Sequence, residues 1–488
     1  MENIKELIRI HDKSQFEIKL GYLIDSKKRK TEYDINLYLF LPKNLGIDGY
    51  SYPKENFYRN LYSYVRLITP KDSLRNLNER LSKVLDKIGN EKSEIDSLFN
   101  FLNYEIKITI CGFKSFLRDF VKLVSESNVT ENEVEIFIKD VSDFRETVKK
   151  FNRFIPETNN IKIKELFQFM DEYSSFLVSV YLIRLFEILS KNQSGLCEKL
   201  STALQSEVAY RKNNGLSYTT EDDLNNELLI YKYSVYKKYF YNILFLKLKK
   251  KSGDVEFRHF AYAIAAGISM IFATAAAFFA QMKYGNFTTS FFIALVISYM
   301  FKDRIKDFFR TIFDKSFLSK KVYDYKNRIY DLERFWLFGF YKERVRFLKN
   351  KELPDHIISK RLQNTHSSLS TWYLGENVLK YERKIKLYND IIKRSFKDKI
   401  EGINDIIRFD IEDFTRKMDD PKSYLYFIEN CSVKNIRATK TYHLNLVGEF
   451  KTPEKHFLFK VRLILTKKGI KRIEIPVDEK NVIVKKSS

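Results

Sequence analysis

The chain has 488 residues, a formal net charge of +23, and is 31% charged and 15% aromatic. That length allows two or three domains with real cores, and so high a charge content excludes a polytopic transporter. Three cysteines, Cys111, Cys197 and Cys431, stand far apart without CxxC spacing, which excludes a thiolate metal site and fits reduced thiols in a cytosol.

The N-terminus, Met1–Glu6, has no apolar core behind a basic start, so no secretory leader is expected. Residues 16–24 and 33–41 largely alternate apolar and polar side chains around a charged turn, residues 25–31. This predicts a β-hairpin with one buried face and a first region over 1–52.

From Lys54 the period becomes helical, and a helical cytosolic domain is expected over 53–257. Helices are predicted at 54–68, 71–88, 91–123, 131–152, 161–192, 195–212 and 220–250. Thr130 ahead of Glu131 and Glu133, and Thr220 ahead of Glu221, Asp222 and Asp223, read as helix starts. The apolar stretch Tyr173–Ile183 is short and closely flanked by charge, which makes it a core helix and not a membrane span. The helix over 220–250 ends in Lys247–Lys251 and is expected to run toward a bilayer.

Phe260 to Met282 is free of charged side chains, and a second uncharged run, Tyr284 to Phe301, follows Lys283. At about 1.5 Å per residue the first run makes about 34 Å of helix, enough to cross a hydrocarbon core of about 30 Å. The expectation is therefore a transmembrane helical hairpin over 258–301, with spans 260–282 and 284–301. The fold class expected is a membrane protein, mainly α-helical with a small β part, an α+β chain whose hairpin separates two cytosolic regions.

Ala265, Ser269, Ala273 and Ala277 recur every four positions, giving one small-residue face for helix packing. The facing surface could be the second span or the same helix in another copy; packing within the hairpin is the preferred reading. Lys249, Lys250, Lys251 and Arg258 precede the first span, and Lys302, Arg304, Lys306 and Arg310 follow the second. The positive-inside rule then places both flanks in the cytoplasm, giving a two-span protein with cytoplasmic termini, in a bacterial inner membrane. These eight cations are the expected contacts to anionic lipid. Charge is also uneven: residues 1–250 hold 40 Lys+Arg against 35 Asp+Glu (+5), and residues 251–488 hold 46 against 28 (+18).

Beyond the hairpin, Ile305, Phe308, Phe309, Ile312 and Phe313 share one face of a basic amphipathic helix over 302–317. Further helix is expected at 321–350, closing a juxtamembrane region over 302–350. The last region, 351–488, reads as α+β, with helices at 354–364, 376–397 and 402–417. Strands follow at 423–428, 436–449, 456–466 and 470–476, and the tail from Lys485 is expected to fray. The N-terminal strands are expected to join these C-terminal ones in a single sheet.

No phosphate-binding loop, dinucleotide fingerprint, nucleophile elbow or H-E-x-x-H motif is present. The histidines, His11, His259, His356, His366, His443 and His456, are not at metal-ligand spacing. The run Asp405, Asp410, Glu412, Asp413, Asp419 and Asp420 is interleaved with Arg408, Arg416 and Lys417 and reads as a solvated face. No catalytic residue, cofactor or metal is assigned.

The function expected is a membrane-anchored, cytosol-facing interaction or regulatory module that touches anionic lipid. The alternatives are an oligomeric, pore-type membrane effector and a membrane-tethered enzyme without a recognisable motif. Expected partners are a bilayer with anionic headgroups, an unidentified protein and further copies of the chain; nucleic acid is a fourth, weaker alternative, since an adjacent membrane accounts for the charge more simply.

Overall fold

A computed structural model describes residues 8–475, except 25–26, 91–94, 128, 158–159, 191–193, 254, 286–287, 314–322, 332–335, 364–374, 396–400 and 454–455. The end of the expected basic helix, 314–317, and the tail from Lys485 lie outside the described residues, as does His366. The chain divides into two compact units. One comprises Arg66–Phe245 and Phe396–Ile403; the other comprises Met1–Val65, Leu246–Ser395 and Asn404–Ser488.

The first unit is helical. Its long helices are α1 (Leu74–Asn90), α2 (Ile95–Glu126), α3 (Glu131–Lys150), α4 (Ile161–Leu189), α5 (Ser194–Asn213) and α6 (Asp223–Tyr241). Thr130 caps α3 in a capping box, accepting from the backbone of Glu133 while the Glu133 carboxylate accepts from the backbone N–H of Thr130. Two otherwise unpaired donors are satisfied in this way. The apolar stretch Tyr173–Ile183 lies inside α4, where Tyr173, Leu177 and Val178 are buried. Around it the core stacks Phe113 on Phe144 at 4.1 Å and Phe120 on Phe137 at 4.0 Å.

A buried charge cluster crosses this core. Arg145 meets Glu207 at 2.8 Å and Asp171 at 2.9 Å, and Tyr210 and Asn152 donate to the other Asp171 oxygen. Each carboxylate therefore has partners that offset its desolvation.

The second unit is built on strands β1 (Ile8–Ile10), β2 (Gln15–Leu23), β3 (Lys30–Pro42), β4 (Leu61–Leu67), β5 (Lys247–Ser252), β6 (Tyr325–Tyr330) and β7 (Leu337–Leu348). They continue as β8 (Glu376–Tyr388), β9 (Gly402–Asp410), β10 (Lys422–Glu429), β11 (Ser432–Thr439), β12 (Tyr442–Lys451), β13 (His456–Thr466) and β14 (Gly469–Glu474). The main sheet is antiparallel and has eight strands in the order β14-β13-β12-β3-β8-β7-β6-β5. A four-stranded sheet runs β1-β2-β9-β4, and β10 with β11 forms a separate ribbon.

β3 lies between β12 and β8, with Leu37 opposite both Gly448 and Tyr381. An N-terminal strand and the C-terminal strands thus share one sheet. β2 does not join it: β2 and β3 belong to different sheets, so the expected β-hairpin over 16–41 is corrected. The two strands meet through side chains instead, with Tyr22 stacked on Tyr33 at 4.1 Å and Phe450 on Tyr22 at 5.7 Å.

Several predicted helices are strands. Residues 54–68 hold a short helix, Lys54–Asn60, followed by β4; residues 325–348 hold β6 and β7; 376–388 is β8 and 402–410 is β9. In β8 every second side chain from Tyr381 to Leu387 is buried, but one of them is Arg383. Glu343 in β7 and Asp405 in β9 are likewise buried. Charges on the inward face broke the period-two signature that identifies a strand.

The expected two-span membrane hairpin is also corrected. α7 (Val255–Tyr284) and α8 (Thr289–Ile312) do form a helical pair, yet only one helix among the described residues, over Arg258–Tyr284, is long and apolar enough to cross a membrane. Tyr284 belongs to α7 and Gly285 turns the chain at φ 74°. The uncharged part of α8 therefore shrinks to 289–301, about 20 Å of helix against a hydrocarbon core of about 30 Å. The membrane-protein class, the multi-pass placement and the assignment of the termini to a cytoplasmic side, all inferred from two spans, lose that basis. The fold is α+β with a large antiparallel sheet.

The last correction at this level concerns the helix expected over 220–250. It ends at Tyr241, and Lys247–Ser252 is β5, at the edge of the main sheet. Lysines on an edge strand discourage pairing with another chain.

Candidate functional site

The most unusual surface is the α7–α8 hairpin. Ala265, Ser269 and Ala273 are buried and Ala277 is half-buried, along one face of α7. Buried Ser298 of α8 donates from Oγ to the carbonyl of Ala273 at 3.2 Å. Small side chains let the two backbones approach, and the stripe is consumed by packing inside the hairpin.

What remains outside is large and apolar. Ile271 is 71% exposed, Phe279 68% and Phe292 66%, with Phe260, Met282, Ile293, Val296 and Phe301 also exposed. Only 22% of the apolar window of α7 is buried within the chain. Large apolar side chains exposed in such number on one helical pair mark a contact site.

The cations expected at its base fall into two groups. Arg258, Lys302, Arg304, Lys306 and Arg310 lie on the hairpin helices themselves, with Arg310 over the Tyr262 ring at 5.0 Å. That contact brings the end of α8 beside the start of α7. Asp303 and Asp307 pair with Lys306 and Arg310 at 3.1 and 3.7 Å; with Glu256 counted, this part of the hairpin carries five cations against three carboxylates. Lys249, Lys250 and Lys251 instead belong to β5, and Lys250 sits 3.6 Å from the centre of the Tyr325 ring.

Next to the start of α7 lies a cavity of about 410 Å³, lined by Lys54, Glu55, Ser252, Arg258, His259, Tyr262, Asp324 and Tyr325. Asp324 is its anchor. It accepts from Lys54 at 3.1 Å, Tyr58 at 3.0 Å and the backbone of Val345 at 2.9 Å. Burial, followed by the Asp324 charge, pushes the Tyr58 hydroxyl far above its usual range, so it remains a donor.

The acidic run read as a solvated face is dispersed. Asp405 is buried against Arg383, Asp410 accepts from Gln15, and Asp413 accepts from Asn60. His11-Asp12 forms a turn, with Asp12 accepting from the backbones of Ser14 and Gln15.

A cluster that linear spacing did not reveal joins His356, Glu449 and His456. Both imidazole Nε2 atoms contact Glu449 Oε1, at 2.8 and 3.0 Å. His356 lies on α9 (Asp355–Leu362), Glu449 on β12 and His456 at the start of β13. They converge across the sheet, so no single-element pattern could show them; the pairing of Lys451 with His456 across the β12–β13 turn was the only local signal. Glu449 is 2% exposed. Burial would raise its pKa, but hydrogen bonds from Lys451, His356, Asn36 and His456 prevail and bring it to about 2.

No protein-family model matches the chain, and no curated protein and no solved structure matches it at a significant level.

Proposed function

We propose that the chain is an interaction module that docks on an anionic lipid surface through the α7–α8 hairpin. The observation that carries this reading is the pairing of exposed Phe279 and Phe292, near the turn of the hairpin, with five cations placed toward its other end. Apolar side chains entering the headgroup–acyl boundary and cations meeting headgroups are the two components of interfacial binding. Insertion to the depth of one interface requires no second span. The cavity lined by Lys54, Arg258 and Tyr262 is of a size to admit a phosphodiester headgroup.

Flotation of the full chain with phosphatidylcholine vesicles, with and without phosphatidylglycerol, tests the proposal. Binding should require the anionic lipid and weaken with salt. Phe279→Asp with Phe292→Asp should lower it by roughly tenfold or more, since a buried Phe contributes about 1.5–3 kcal/mol. Absence of flotation with either vesicle rejects the reading.

A further inference from the structure

We propose that His356, Glu449 and His456 form a site for a divalent transition-metal ion of the zinc type, with one coordination position open to water. Among the described residues, this is the one group of three or more His, Cys, Asp and Glu whose ligand atoms all lie within 4.8 Å of one another. Two imidazoles and a carboxylate are a common three-ligand set for zinc, which binds them at about 2.0–2.2 Å.

The geometry suits an ion in three further respects. Both Nε2 atoms lie within hydrogen-bond distance of the same carboxylate oxygen, so an ion that takes the place of the shared protons would meet all three ligand atoms at one point. Glu449 is held from behind, where Asn36 Nδ2 donates to Oε2 at 2.8 Å and leaves Oε1 to face the histidines. An outer hydrogen bond of this kind fixes a ligating carboxylate. Finally, the imidazoles are 44% and 48% exposed, so they can rotate inward and leave solvent access to the ion.

Lys451 is the competitor. Its ammonium lies 2.9 Å from Glu449 Oε1 and is 45% exposed, so it can swing into water when an ion arrives. A metal would replace one cation by another at a carboxylate that already requires a positive partner.

The test uses the full chain, stripped with a chelator and titrated with Zn²⁺ by calorimetry and with Co²⁺ by visible absorption. One ion per chain is expected, with a Co²⁺ d–d band typical of low coordination number. His356→Ala and His456→Ala should each weaken binding by roughly tenfold or more and abolish the band. Asn36→Ala should weaken it less. Both histidines are half exposed, so these variants should fold, as circular dichroism would verify. Lys451→Ala, which removes the competitor, should tighten binding. Failure of the parent chain to bind, or stoichiometric binding that survives both histidine substitutions, overturns the proposal.

Discussion

Arg383 Nη1 donates to both carboxylate oxygens of Asp405, at 2.7 and 2.8 Å, and neither residue reaches solvent. The contact links β8 of the main sheet to β9 of the smaller one. Glu343 and Tyr381 complete the cluster: Tyr381 OH donates to Glu343 Oε2 and Arg383 Nε donates to the Tyr381 oxygen, both at 2.8 Å. Burial pushes the Asp405 carboxyl upward, against the pull of Arg383.

Arg383→Met leaves two buried carboxylates without their cation. Breaking a buried pair in this way costs about 3–5 kcal/mol. Urea unfolding should show that loss, and Arg383→Met with Asp405→Leu should recover part of it.

Ala265 and Ala273 pack at the interior of the helical hairpin. Leucine at either position should force α7 and α8 apart and cost about 1–3 kcal/mol. The expected readout is faster proteolysis of the hairpin, with the thermal unfolding of the helical unit unchanged.

Thr130→Ala removes one half of the capping box and should cost about 1 kcal/mol. Thr130→Ser should restore it. Chemical denaturation of the two variants in parallel checks this.

Glu172 supplies a pH dependence. Burial acts to raise its pKa, but hydrogen bonding from Tyr236, the Lys232 charge and Ser217 outweigh burial and lower it from 4.5. A carboxylate lowered in the folded state stabilises fully above its unfolded pKa. The contribution should be intact above about pH 4.5 and fade as the pH falls below that value. In Glu172→Gln the difference in unfolding free energy between pH 6 and pH 3 should be smaller than in the parent.

Legibility followed the location of charge. The start of α3 was plain because Thr130 and Glu133 are neighbours in sequence, and the small-residue face of α7 was plain because helical period alone displays it. β7, β8 and β9 were hidden by Glu343, Arg383 and Asp405, which look like surface residues until their partners on other strands are known. The His356–Glu449–His456 group was hidden for the same reason, since its members are spread over a hundred positions. The uncharged run 284–301 misled by ignoring the turn at Gly285, which takes the first residues away from α8.

β3 is flanked by strands made much later, and Leu37 meets Gly448. A ribosome adding about 5–20 residues per second needs roughly 20–80 s to pass from one to the other. During that interval the helical unit, most of whose residues precede β8, can fold while β3 lacks both of its neighbours. Synthesis of β12, and not early collapse, would then set when the main sheet closes, and chaperone demand should peak before β12 emerges.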